Sequence, residues 1–179
     1  MKLNLGCSET FLPGFVHIDI GDYPHLNYRH DIRTLPMIDD SSVELIYSSH
    51  ALTYLDMEDV EMALREWYRK LKSGGILRLA VDDFESIIKV YQKYGDISRI
   101  LGCLYGKWNL PSGDFIYQKS TYDFKSLKKL LEKVGFKNVR RYDWRDTIHK
   151  DYDDYSQSYI PHMDKENGIL MSLNLECVK

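Results

Sequence analysis

The chain has 179 residues, 44% hydrophobic and 28% charged, with 24 Lys and Arg against 27 Asp and Glu for a formal charge of −3. That length suits a single domain with a sizeable core, and the lack of a basic excess argues against nucleic acid as a partner. Cys7, Cys103 and Cys177 are too scattered for a zinc set, and no secretory signal or bilayer-length apolar run is present, so the expectation is a cytoplasmic protein with reduced thiols, no metal and no membrane partner.

In chain order, Leu3–Leu5 is a short apolar strand ending at Gly6, and Phe15–Ile20 is a second, ending in an acid, Asp19. The gap between them is too short for a full helix. A third short strand is expected around Tyr28–His30, leading to Asp31, and Val43–Ser48 reads as a buried strand. The clearest helix runs from about Met57 to Lys72, with Val60, Leu64, Trp67 and Leu71 at helical spacing, Asp56 as its cap and Gly74-Gly75 as its stop. Ile76–Val81 is a strand running into Asp82-Asp83, and Phe84, Ile87, Ile88 and Tyr91 mark an amphipathic helix capped by Asp83. Residues 95–122 show no strong period and read as an insertion or lid, with one short helix near Ile97–Tyr105. Leu127, Leu130, Leu131 and Val134 give a third helix between Asp123 and Gly135. Asn138–Trp144 is a strand, 147–167 a tyrosine-rich loop, and Ile169 to Cys177 alternate as a long last strand. The pattern predicts an α/β fold, Rossmann-like and doubly wound, with a mostly parallel sheet closed by a C-terminal antiparallel hairpin, all in one domain over residues 1–179.

In such sheets ligands bind beyond the carboxyl ends of the strands. The residues found there are Gly6-Cys7-Ser8, Asp19-Ile20, Asp31-Ile32, Ser48-Ser49-His50 and Asp82-Asp83. A glycine turn lets backbone pass close to a ligand, an acid after the second strand suits ribose hydroxyls, and one after the third can accept from an exocyclic amine. Each residue alone is equally readable as a turn, a cap or a salt-bridge acid; their order and spacing carry the weight.

With these stretches in hand, the sequence resembles class I S-adenosylmethionine-dependent methyltransferases, particularly the short enzymes of the methyltransferase type 11-like group. The resemblance rests on LNLGCS at 3–8, PGFVHIDI at 13–20, DIRTLPMIDDSSVELIYSSHALTYL at 31–55, ALREWYRKLKSGGILRLAVDDF at 63–84 and, more loosely, LLEKVGF at 130–136. It implies S-adenosylmethionine as cofactor, with Gly6, Cys7 and Ser8 under the methionine part, and Asp19 and Ile20 at the ribose and adenine. Asp31 and the Ile32 amide are implied at the adenine edge, and Ser48, Ser49 and His50 beside the methionyl group and the acceptor. The chain departs from the family pattern in three places near the site. Ser8 stands where G-x-G has its second glycine, Leu52-Thr53-Tyr54 replaces L-E-H, and Asp82 takes the place of the proline in V-P-D.

Transfer from a sulfonium is an in-line displacement in which the protein mainly orients the nucleophile, a contribution of roughly 7–11 kcal/mol. An oxygen or nitrogen acceptor also calls for a base. His50 is the first candidate and Asp83 a second, with His149 in a loop of unknown placement. Aromatic residues crowd the two irregular segments (Trp108 and Tyr155 among them) and suit either an acceptor pocket or a cover for the sheet end. The expected reaction is methyl transfer to a small polar acceptor, a sugar or metabolite. The alternative is a non-catalytic cofactor-binding or scaffold protein that retains the fold, and self-association is left open. A nicotinamide oxidoreductase is disfavoured, because G-x-G-x-x-G is absent after the first strand.

Overall fold

The computed structural model describes residues 1–179. Seven strands form the main sheet: β1 (Lys2–Leu5), β2 (Val16–Asp19), β3 (Tyr28–Arg29), β4 (Val43–Ser49), β5 (Leu71–Asp82), β8 (Lys137–Arg141) and β11 (Ser172–Val178), in the order β3-β2-β1-β4-β5-β11-β8. The first five are mutually parallel, while β11 runs antiparallel to both β5 and β8. The strand order reverses between β1 and β4, which opens a crevice at their carboxyl ends. The chain is thus the expected α/β fold with a mostly parallel sheet, its antiparallel C-terminal pair included.

The early connections carry no helix. Helices α1 (Met57–Lys70) and α4 (Phe124–Val134) pack together, sending Val60, Leu64, Trp67, Leu127 and Leu131 into one core with Leu3, Leu5, Ile46, Leu77 and Leu79. Each fully buried aliphatic side chain contributes about 1.5–3 kcal/mol, so this core accounts for the placement of both helices. Asp123 caps α4 in a reciprocal capping box with Ser126.

Three local expectations are corrected. Gly74-Gly75 does not stop α1: the helix passes straight into β5 at Leu71, whose buried side chain pairs with Val43, and the N–H groups of Ser41 and Ser42 cap the Arg69 and Lys70 carbonyls. Asp56 makes no side-chain cap bond and instead accepts from Lys119 at 2.9 Å. In α2 (Phe84–Tyr94) the buried face is Ser86, Ile87 and Val90, leaving Phe84, Ile88 and Tyr91 exposed. That helix packs with Ile100 and Met171 in a separate small cluster.

The region 95–122 contains a short helix α3 (Leu101–Tyr105), as expected, followed by a hairpin the sequence did not announce, β6 (Lys107–Asn109) with β7 (Phe115–Tyr117). The tyrosine-rich loop carries a 3-10 turn at Tyr155–Gln157 and a two-residue strand, β9 (Tyr159–Ile160), which pairs with β10 (Ile169–Leu170). The predicted last strand is therefore two, broken at Met171. No helix is long and apolar enough to cross a membrane.

Candidate active site

A cavity of about 640 Å³ opens at the strand-order reversal, within the usual range for small-molecule sites. The exits of β1, β2 and β4, the turn after β3, the β6–β7 hairpin and the segment around Tyr155 all contribute to its wall. Of the residues singled out from sequence, Gly6, Cys7, Ser8, Asp19, Ile20, Asp31, Ile32, Ser49 and His50 line it together. Ser48 and Asp83 do not. Ser48 is 1% exposed and donates its hydroxyl to the Leu5 carbonyl, tying β4 to β1. Asp83 caps α2 through the Glu85 N–H and takes the Arg141 guanidinium at 3.1 Å, which leaves it a helix-start acid away from the cavity.

The β1 exit is built by sterics. Gly6 has φ +66°, and a Cβ on it would lie 2.2 Å from Ala51 Cβ, so the turns after β1 and β4 touch with no room for a side chain. Two residues on, Ser8 holds the left-handed conformation that the second glycine of G-x-G would adopt freely, φ +48°. Its N–H donates to Asp19 Oδ2 at 2.8 Å, and its hydroxyl lies 3.4 Å from Tyr23 Oη. Asp19 also accepts from Gly21 N–H at 2.7 Å. One buried carboxylate therefore staples the β1 loop to the β2 loop while each oxygen keeps a lone pair for a ligand.

At the next strand end, Asp31 accepts from the Arg33 N–H and guanidinium, and Arg33 reaches on to Asp59. Burial pushes the Asp31 carboxyl up, but the bonds to Arg33 outweigh it and hold the group below the usual carboxylate range. Ile32 gives its carbonyl to Trp67 Nε1 at 2.7 Å, while its N–H takes no part in the backbone network. The cavity thus offers a free amide beside an apolar side chain, a set that suits the edge of a flat base. In the same wall Ser49 Oγ is buried with no partner.

His50 lies at the β4 exit, also left-handed at φ +53° and 8% exposed. Its Nδ1 is 3.4 Å from Asp82 Oδ2 and its Nε2 is 3.1 Å from Ser172 Oγ. β5 and β11 therefore hold the ring from both sides, Ser172 through a hydrogen bond to Nε2 and Asp82 as an ion-pair contact at Nδ1. Asp82, the residue in the proline position of V-P-D, also accepts from Gln118 in the insertion at 2.8 Å. The Arg33–Asp59 pair and the Asp82–His50 contact escaped the sequence reading; the one signal for the latter was the unusual acid at position 82.

The aromatic residues divide. Trp108, from the β6–β7 hairpin, reaches Tyr23 Oη with its indole N–H at 3.4 Å and meets Tyr155 edge to face, ring centroids 6.1 Å apart. Tyr155 in turn lies 5.7 Å from the His50 ring. Trp108 and Tyr155 line the cavity, whereas Tyr105, Phe115 and Tyr117 face solvent and Tyr122 and Tyr159 are buried in packing. The hairpin thus contributes Trp108, Leu110 and Ile116 to the cavity wall.

Residues 17–79 match the family model of a methyltransferase domain. No curated protein matches the chain. Among solved structures, an S-adenosylmethionine-dependent methyltransferase from Archaeoglobus fulgidus superposes with a TM-score of 0.59 at 18% identity, over 99% of this chain and 85% of that one. One from Mesorhizobium loti gives 0.56 at 16% identity, over 99% and 90%. A third, the 1,6-didemethyltoxoflavin-N1-methyltransferase of Burkholderia thailandensis, solved with bound 1,6-didemethyltoxoflavin and S-adenosylhomocysteine, gives 0.56 at 10% identity, over 99% and 70%. The chain thus shares the fold of solved S-adenosylmethionine-dependent methyltransferases, and its residues 17–79 match the methyltransferase-domain model.

Proposed function

We propose that this protein transfers the methyl group of S-adenosylmethionine to a small polar acceptor held beside the β6–β7 hairpin. The observation that carries the reading is the convergence of Gly6, Asp19, Asp31, Ile32 and His50 on one cavity at the sheet's reversal point. The wall fits such a cofactor: a side-chain-free turn, a carboxylate with open lone pairs, a free amide beside an isoleucine, and enough volume. Ser8, in the place of the second glycine of G-x-G, has its hydroxyl 3.4 Å from Tyr23 Oη.

The cofactor supplies an already activated methyl group. The chain's part is to bind and orient. Asp19 accepts ribose hydroxyls while keeping the two loops in register, and Ile20 and Ile32 cover the base with the Ile32 N–H as its polar anchor. Trp108, Tyr54 and Tyr155 exclude water and hold the acceptor. His50, fixed by Asp82 and Ser172, keeps the β4 exit in its left-handed turn and so sets the floor of the acceptor site.

Asp19→Ala is expected to weaken S-adenosylmethionine binding 10- to 100-fold, since hydrogen bonds to a charged group contribute about 1.5–3 kcal/mol. Isothermal titration of the folded variant measures this, and unchanged affinity removes the ribose role. His50→Ala is expected to reduce transfer through loss of the turn, with cofactor affinity within about threefold, much less than one charged hydrogen bond. A pH-rate profile displaced relative to the wild type would assign His50 the general-base role instead.

A further inference from the structure

The cavity wall is strongly acidic. Seven carboxylates line it against two cations, Arg33 and Lys119, which leaves five net negative charges in the wall of a chain whose total is −3. Most of these acids are committed. Arg33 pairs with Asp31 and Asp59, Lys119 with Asp56, and Lys165 with Asp153. Glu9, Asp19 and Asp154 have no cationic partner; Asp19 is taken by the Ser8 and Gly21 N–H groups and is assigned to the ribose, while Asp154 accepts only from the Tyr47 hydroxyl and the Ser156 N–H. It stands one residue from Tyr155, whose ring forms a near-perpendicular corner with Trp108 (interplanar angle 85°). A carboxylate without a cationic partner in one wall with two electron-rich rings is a combination suited to an ammonium group.

Apart from its carboxylates, the same wall is poor in groups that could activate a hydroxyl. His50 is held within the sheet by Ser172 at Nε2 and by Asp82 at Nδ1. Burial, reinforced by nearby negative charge, pushes the Tyr54 phenol and the Cys7 thiol each up to about 12, so both keep their protons. His162 stands exposed at the rim. An anionic acceptor would meet the acidic wall. A neutral amine, in contrast, carries its own lone pair and needs no base in the displacement.

We propose that the acceptor is an amine, received as its ammonium between the Asp154 carboxylate and the Trp108–Tyr155 corner. This rests on the methyl-transfer reading and narrows its substrate class. The ammonium gives one proton to water through the cavity mouth, and the freed lone pair forms the N–C bond as the C–S bond breaks. Sulfur keeps the bonding pair and leaves as the thioether of S-adenosylhomocysteine, and the product departs as an N-methylammonium.

The test is a calorimetric titration of the full chain, first with S-adenosylhomocysteine and then, once saturated, with three probes of matched shape: 2-phenylethylamine, 2-phenylethanol and phenylacetate. Expected is an amine at least tenfold tighter than the alcohol, with phenylacetate not binding. Asp154→Asn keeps an acceptor for the Ser156 N–H, while the Tyr47 hydroxyl can turn to accept from the new amide, and the variant is expected to erase the amine's advantage. Trp108→Leu, in the hairpin rather than the core, is expected to weaken the amine at least threefold. Alcohol or phenylacetate binding as tightly as the amine, no probe binding, or a preference that survives Asp154→Asn overturns the amine assignment alone. Failure of S-adenosylhomocysteine to bind overturns the methyl-transfer reading and the amine assignment with it.

Discussion

Replacing Gly6 with alanine is expected to cost about 2–5 kcal/mol of stability and to abolish measurable cofactor binding. Two effects add: a left-handed φ of +66° costs a non-glycine residue roughly 1–2 kcal/mol, and overpacking adds about 1–3 kcal/mol because the new methyl would sit 2.2 Å from Ala51 Cβ. For a chain of this size roughly 2–4 °C of melting temperature is lost per kcal/mol, so a drop of about 4–20 °C is expected in a thermal melt. The causes can be separated. Adding Ala51→Gly removes the clash but not the backbone strain, so the double variant should recover only the steric share. A Gly6→Ala protein as stable as the wild type would mean that the β1 and β4 exits are not in contact as described.

The second large effect is on acid stability and is centred on His149. This imidazole is 1% exposed, lies 4.0 Å from the Tyr47 ring, and has no hydrogen-bond partner on either nitrogen. Burial, with the Arg78 charge acting in the same direction, pulls it down from 6.5 to about 4 against the opposing pull of Asp154. Its folded-state value lies below its unfolded one, so the unfolded chain binds the extra proton first. The contribution is present in full above pH 6.5 and is lost progressively as pH falls towards 4. A displacement of this size corresponds to about 3 kcal/mol. Denaturant melts between pH 4 and 7 should show that slope, and His149→Phe, similar in shape with nothing to protonate, should flatten it. At neutral pH the same variant is expected to be at least as stable as the parent, since two desolvated polar atoms are removed. An identical pH slope in parent and variant would assign the acid sensitivity elsewhere.

The sheet and the loops at its strand exits were readable from sequence because they depend on local chemistry. Gly6, Asp19 and Asp31 each follow a short apolar run, Asp123 and Gly135 bracket α4, and Asp83 announces the start of α2. Readability failed where the deciding partner is distant. Either apolar stripe of α2 satisfies helical periodicity, and only Ile100 and Met171 choose Ile87 and Val90 over Ile88 and Tyr91. Asp83 appeared to face the site until Arg141, from β8, claimed it. The setting of His50 was not legible because Asp82 and Ser172, 32 and 122 residues away, do not betray their contact with it. The β6–β7 hairpin has strands of three residues, too short for alternation to register. Yet it carries Trp108, one of the two rings on which the acceptor proposal depends.

That the β1, β2 and β3 exits together hold an adenosyl sulfonium compound is tested most directly by a crystal structure of the protein with S-adenosylhomocysteine. Expected is density with the ribose hydroxyls on Asp19, the adenine between Ile20 and Ile32 with its edge at the Ile32 amide, and the sulfur facing His50 and Tyr155. A saturated crystal with the nucleoside outside this cavity, or with the Ser8 side chain occupying the place of the amino-acid tail, would contradict it.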